Sequence, residues 1–288
     1  HYIKKIKGEP FVEVISENRC FGGTQGVYMH RSEACQCAMT FGLFLPAEAE
    51  VNPVPLLWYL SGLTCTHENA MVKAGAQTWA AEQGIALIFP DTSPRGDDVA
   101  DDESYDLGKG AGFYVNAIQK PWAPNFLMWD YVAEELPKLV FDNFALDEER
   151  QAITGHSMGG HGALTLAMGL ENRFRSVSAF SPICNPAESD WGRKQFSAYL
   201  GDDQDLWQPH DASVMMRKVG FNGPVLVDTG TKDQFIDLLK PETLANAANA
   251  RRQQSILRLQ HGYDHSYFFV STYIEDHITF HAEALYDS

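Results

Sequence analysis

Short, almost wholly apolar runs alternate along this chain with longer stretches whose apolar residues recur every three or four positions. Residues 56–60, 85–90, 152–154, 177–181, 224–228 and 256–259 are runs of the first kind. Bounded by Gly, Pro or polar residues, they predict strands buried on both faces, as in a parallel sheet covered by helices. The helical spacing falls at 69–83, where Gly84 stops it, and at 125–143, 162–170, 238–254 and 266–285. Pro137 lies inside the second of these stretches and predicts a kink or a break there. Ahead of the alternation, 11–16 and 26–30 read as a hairpin around Gly22-Gly23, followed by a strand at 37–46. Antiparallel strands followed by alternating strands and helices specify an α/β fold. The expected architecture is a mostly parallel central sheet with antiparallel N-terminal strands and helices on both faces.

Length fits one large domain over residues 1–288, and no second domain is required. Two segments interrupt the alternation: 91–114 is rich in glycine and acids and reads as a solvated surface loop, and 182–206 reads as irregular. No apolar run approaches the length of a membrane span, so no membrane partner is expected. The lysines at 4, 5 and 7 are not followed by an apolar core, which argues against a secretory signal. A formal net charge of −16 argues equally against nucleic acid, whose phosphates such a field repels. The five cysteines are an odd number in a chain read as lacking a secretory signal, so free thiols and a cytoplasmic location are expected. Cys35 and Cys37, spaced i, i+2, read as small core residues on one strand face, and no metal pattern completes them.

The chemistry concentrates at Gly155-His156-Ser157-Met158-Gly159, a G-x-S-x-G sequence between an apolar strand and a small, apolar helix. This is the composition of a nucleophile elbow, where the serine hydroxyl is lifted above the sheet edge and glycines admit the close approach of strand and helix. A serine hydroxyl needs a histidine to take its proton and a carboxylate to hold that histidine's tautomer. On sheets with such an elbow the chain order is Ser, acid, His. His265, in Gly262-Tyr263-Asp264-His265-Ser266 after the last strand, satisfies that order. His156, His161, His277 and His281 read as structural. Asp233 is the chosen acid, with Asp228 the fallback; the competing role for Asp228 is to accept backbone N–H bonds that shape its loop. Met158 N–H and Leu63 N–H, the latter in the loop after 56–60, are the expected oxyanion donors.

With these residues in place the chain resembles the S-formylglutathione hydrolase (esterase D) family of α/β-hydrolases. The likeness rests on 58–66, 83–96, 155–162 and 263–267 and runs nearly end to end. It implies hydrolysis of S-formylglutathione to formate and glutathione in formaldehyde detoxification, side activity on short-chain esters, and a homodimer. The family triad maps onto Ser157, Asp233 and His265, and a family cysteine maps onto Cys65, whose competing role is a small filler. The 182–206 segment stands where such hydrolases insert a cap, with Trp191 as an expected pocket wall. The chemistry requires no metal and no organic cofactor. The rival functions are a general short-chain carboxylesterase, an acyltransferase and a catalytically inactive binding protein of the same fold.

Overall fold

The computed structural model describes residues 12–287. Nine strands form one sheet: β1 (Val12–Cys20), β2 (Gly23–Arg31), β3 (Ala38–Leu45), β4 (Val54–Leu60), β5 (Ala86–Pro90), β6 (Leu146–Gly155), β7 (Val177–Phe180), β8 (Val225–Gly230) and β9 (Ser255–Gln260). Their order is β1-β2-β3-β5-β4-β6-β7-β8-β9. The first three pair antiparallel, β3 meets β5 antiparallel, and every pair from β5 to β9 is parallel. Phe11, expected in the first strand, lies outside the described residues.

The continuous apolar runs are explained by what covers them. Along β4, Leu56, Trp58 and Leu60 enter one core, while Leu57 and Tyr59 enter the core on the opposite face. Both sides of each strand must therefore be apolar. One face is covered by α1 (His67–Lys73), α2 (Ala76–Gln83) and the long terminal helix α10 (Tyr267–Tyr286). Against the other lie α3 (Met128–Asp130), α4 (Leu136–Asn143), α5 (Met158–Gly169), α6 (Asp190–Leu200), α7 (Ala212–Lys218), α8 (Ile236–Leu239) and α9 (Pro241–Arg251).

Several expected elements are corrected. The helix expected at 69–83 is two helices, because Gly75 takes φ +69° between them. The one expected at 238–254 is split at Lys240, with φ 51°, and restarts at Pro241, whose ring suits a first helical turn. The 125–143 stretch contains a π-helical turn, Tyr131–Glu135, in which the Leu136 N–H reaches back to the Tyr131 carbonyl; Pro137 then opens α4. Cys35 and Cys37 sit in the bend before β3, not on a strand face, yet both are buried as small core residues. The 182–206 segment is largely helical: Ser189 caps α6 by accepting from the Gly192 N–H. Helix α7, capped in the same way by Asp211, had no counterpart among the expected elements.

Candidate active site

Because β4 and β6 are parallel neighbours with Leu60 opposite Gly155, the loops that leave their carboxyl ends emerge side by side. Ser61-Gly62-Leu63 thus lies beside His156-Ser157, although some ninety positions separate them in the chain. The elbow is tight. A Cβ on Gly155 would stand 2.1 Å from the Gly159 carbonyl oxygen, and one on Gly159 would stand 2.0 Å from that of Leu60. Ser157 itself adopts φ 58°, ψ −119°, a conformation that costs a non-glycine residue about 1–3 kcal/mol. The surrounding backbone holds it there: its N–H donates to the Phe180 carbonyl at 2.9 Å and its carbonyl accepts from His161 N–H at 3.0 Å.

At the far side of the site the loops after β8 and β9 are stitched together, with Lys232 N–H on the Tyr263 carbonyl at 2.8 Å and Gly262 N–H on the Thr231 hydroxyl at 2.9 Å. This brings His265 Nδ1 within 2.6 Å of Asp233 Oδ2, while Asp233 Oδ1 accepts from Phe235 N–H at 2.9 Å. A carboxylate only accepts, so Nδ1 carries the proton that points at Asp233, and in the neutral ring the lone pair is on Nε2. Asp228 is engaged elsewhere. It takes the guanidinium of Arg258 at 2.5 and 2.6 Å, Gln260 Nε2 at 3.1 Å and His277 Nε2 at 3.1 Å. Its partners are side chains, not the backbone N–H groups of its loop. Burial pushes its carboxyl up, but bonds from His277 and Arg258 outweigh that and bring it down to about 2.

Gly62, Leu63, Cys65, Tyr105, His156, Ser157, Trp191, Phe235, His265 and Tyr267 are among the residues that enclose a cavity of about 290 Å³. Ser157, His265, Leu63, Cys65 and Trp191 therefore share one space. Met158 is the first residue of α5, where a helical N–H has no intrahelical partner. Among the described residues no acceptor takes the Leu63 N–H. A Cβ on Gly62 would lie 3.8 Å from Ser157 Oγ, so the Gly62-Leu63 loop runs close beside the hydroxyl. Burial raises the Cys65 thiol above its ordinary range, against the opposing effect of the nearby Tyr267 hydroxyl.

Four lining residues were not singled out by sequence reasoning. Tyr105 comes from the acidic loop, and its hydroxyl accepts from Trp191 Nε1 at 3.0 Å. Phe235 packs edge-on against His265, with ring centroids 5.1 Å apart. Tyr267 follows His265 by two positions. His156, read as structural, instead faces the cavity with its ring 4.7 Å from that of His265; burial and the neighbouring His265 hold it well below its ordinary pKa. His161, His277 and His281 are buried and do not line this cavity. Among the described residues no cluster of three or more potential ligands could hold a metal ion.

The chain is similar to known proteins in sequence and fold. The family model "Putative esterase" matches residues 32–280. An S-formylglutathione hydrolase of Paracoccus denitrificans is 66% identical over 273 residues, covering 95% of this chain and 98% of its own. The chain belongs to the S-formylglutathione hydrolase family. The solved S-formylglutathione hydrolase of Agrobacterium tumefaciens superposes with a TM-score of 0.93 at 44% identity, covering 94% of this chain and 99% of that one. A fluorophosphonate-binding serine hydrolase of Staphylococcus aureus, at 18% identity, shares the fold with a TM-score of 0.72 over 90% of this chain and 98% of its own. The fold is that of the α/β-hydrolases, and the family's members are serine hydrolases. Among the described residues no helix is long and apolar enough to cross a membrane.

Proposed function

We propose that the chain hydrolyses S-formylglutathione to formate and glutathione through an acyl-enzyme on Ser157. The observation that carries the reading is His265, held from behind by Asp233 and lining one cavity with a serine on a strained elbow. The 66% identity to a relative of that name supports the substrate. In this reading His265 Nε2 takes the Ser157 proton as Oγ attacks the formyl carbon. The resulting oxyanion is held by the N–H groups of Leu63 and Met158, each worth about 10²–10³ in rate. As the carbon–sulfur bond breaks, His265 returns the proton to the departing thiolate. Water, deprotonated by the same histidine, then attacks the formyl ester and releases formate. A thioester carbonyl is weakly resonance-stabilised and its thiolate leaves readily, so nucleophile activation and an oxyanion hole suffice.

The pocket supports a small acyl group, since Trp191, Phe235 and Tyr105 crowd one side of a cavity of only about 290 Å³. Residues 182–206, carrying Trp191 on α6, act in this reading as the cap of one domain over 1–288. A cytoplasmic homodimer remains our expectation. Steady-state kinetics on S-formylglutathione beside a short-chain aryl ester, for the parent and Ser157→Ala, test the assignment. Preference for the thioester by orders of magnitude, with both activities lost in the variant, is expected. Preference for the aryl ester would leave a general short-chain carboxylesterase.

A further inference from the structure

A second cleft, of about 590 Å³, opens beside the active site and is lined by Lys73, Ser266, Tyr267, Phe268 and Ser271. Tyr267 lines both spaces, so the two adjoin at this residue. Each bank of the cleft grows from a loop of the active site. On one side, the chain passes from His265 through the α10 cap Ser266 into Tyr267 and Phe268. On the other, the chain leaves the Gly62-Leu63 loop, enters α1 at its cap Thr66, and ends that helix at Lys73.

We propose that this cleft is the subsite for the peptide portion of the leaving thiol, with the Lys73 ammonium pairing a carboxylate of that peptide. The inference rests on the S-formylglutathione reading above. Its first ground is directional: His265 must hand its proton to the departing sulfur, so the leaving group has to lie on the His265 side of the acyl carbon. The cleft begins at the residues that follow His265. Its volume lies within the ~300–1,000 Å³ range of small-molecule sites.

The second ground is charge. Glutathione carries two carboxylates and one ammonium, and a chain of formal charge −16 repels such an anion as a whole. A local cation without a partner at the mouth reverses that locally. Lys73 fits: among the described residues no carboxylate lies within ion-pair distance of it, whereas Arg95, Lys194 and Arg258 are each committed to an aspartate. Asp264, the carboxylate nearest in sequence to this bank, is turned onto the Ser266 N–H at 3.0 Å and the Ser266 hydroxyl at 2.6 Å. The third ground is the apolar surface: Phe268, in the lining, is 85% exposed, and Val72, next to Lys73, is 71% exposed. Large side chains left in water beside a cation suit a peptide with methylene stems and charged ends.

The test compares the parent with Lys73→Ala, Lys73→Glu and Lys73→Arg. The substrates are S-formylglutathione, the formyl thioester of neutral N-acetylcysteamine, and 4-nitrophenyl acetate. S-methylglutathione serves as a competitive inhibitor of aryl-ester hydrolysis. An accessible ion pair of about 1 kcal/mol corresponds to roughly a fivefold loss. Lys73→Ala should therefore lower kcat/KM for S-formylglutathione about fivefold through KM and weaken S-methylglutathione equally, with a larger loss for Glu and recovery for Arg. The two neutral substrates should be unchanged. Equal losses on all three substrates would make Lys73 merely structural, and no loss on any would place the carboxylate elsewhere; either overturns the subsite. If the parent neither favours S-formylglutathione over the neutral thioester nor binds S-methylglutathione, the substrate reading itself falls and the subsite with it.

Discussion

Gly62 and Ser157 approach so closely that a Cβ added to Gly62 would sit 3.1 Å from the Ser157 Cβ and 3.1 Å from the His156 carbonyl oxygen. Neither neighbour can retreat freely, since both belong to the strained elbow. The donor loop must move instead, taking the Leu63 N–H with it. Gly62→Ala is therefore expected to fold normally but to lose about 10²-fold in kcat, the scale of a misplaced or missing oxyanion donor. Thermal unfolding beside single-turnover kinetics checks this, and a variant with parental kcat would remove the Gly62 loop from the oxyanion hole.

Two aspartates at the end of β8 divide the labour, and substitution should separate them. Asp233→Asn leaves the shape of the site but removes the acceptor that fixes the His265 tautomer, so a loss of about 10⁴ in kcat is expected with little change in melting temperature. Asp228→Asn should do the reverse. It removes the buried charge that His277 and Arg258 share inside the sheet–helix interface; Arg258 keeps Asp276, so the loss should reach at most the about 3–5 kcal/mol of a broken buried pair. Its folded fraction should keep near-parental turnover. Parallel denaturation and kinetics decide, and an inactive but stable Asp228→Asn protein would exchange the two roles.

How much of this was legible beforehand depends on what each residue answers to. The parallel strands could be read because burial on both faces forces an uninterrupted apolar run, as at Leu56–Leu60. The elbow around Ser157 could be read because its glycines are a local signal, and the chain order pointed to His265. Asp233 and Asp228 both fit that order, and only the folded geometry separates them, with His265 on the first and Arg258 on the second. Breaks at Gly75 and Lys240 could not, because apolar spacing continues through both and only backbone geometry interrupts it. Helix α6 was hidden behind Pro182 and Pro186, its start being set by the Ser189 cap. Tyr105, Phe235 and Tyr267 converge from three separate loops. Their meeting depends on the strand order, which no single stretch encodes.

Acidification should unfold the protein steeply. His156 and His281 are held well below their ordinary pKa, His161 is brought down to about 4, and His277 is lowered, in each case chiefly by burial. A histidine whose folded pKa is depressed binds its proton preferentially in the unfolded chain. Its contribution is intact above pH ~6.5 and is lost as pH falls from there toward its folded value. Each such group steepens the fall of stability with pH, by at most ~1.4 kcal/mol per pH unit, wherever it is protonated only in the unfolded chain. Asp228 adds a second loss between its ordinary range near 3.8 and about 2. Urea denaturation across pH 4–7 measures this, and a stability that is flat from pH 6.5 to 5 would contradict the buried, neutral state of these rings.

Cys65 lines the cavity with its thiol buried beside Tyr267, and burial raises its pKa from an ordinary 9.0. The reactive species is the thiolate, so its fraction near neutrality is small. Iodoacetamide should therefore inactivate the parent slowly at pH 7, and the rate should still be rising with pH at 9. The blocked protein should lose both ester and thioester turnover, because the added group fills the space above Ser157. Cys65→Ala should remain active and resist the reagent at every pH. The other four cysteines separate chemistry at this cavity from damage elsewhere: equal inactivation of Cys65→Ala would assign the effect to one of them and leave Cys65 as filler.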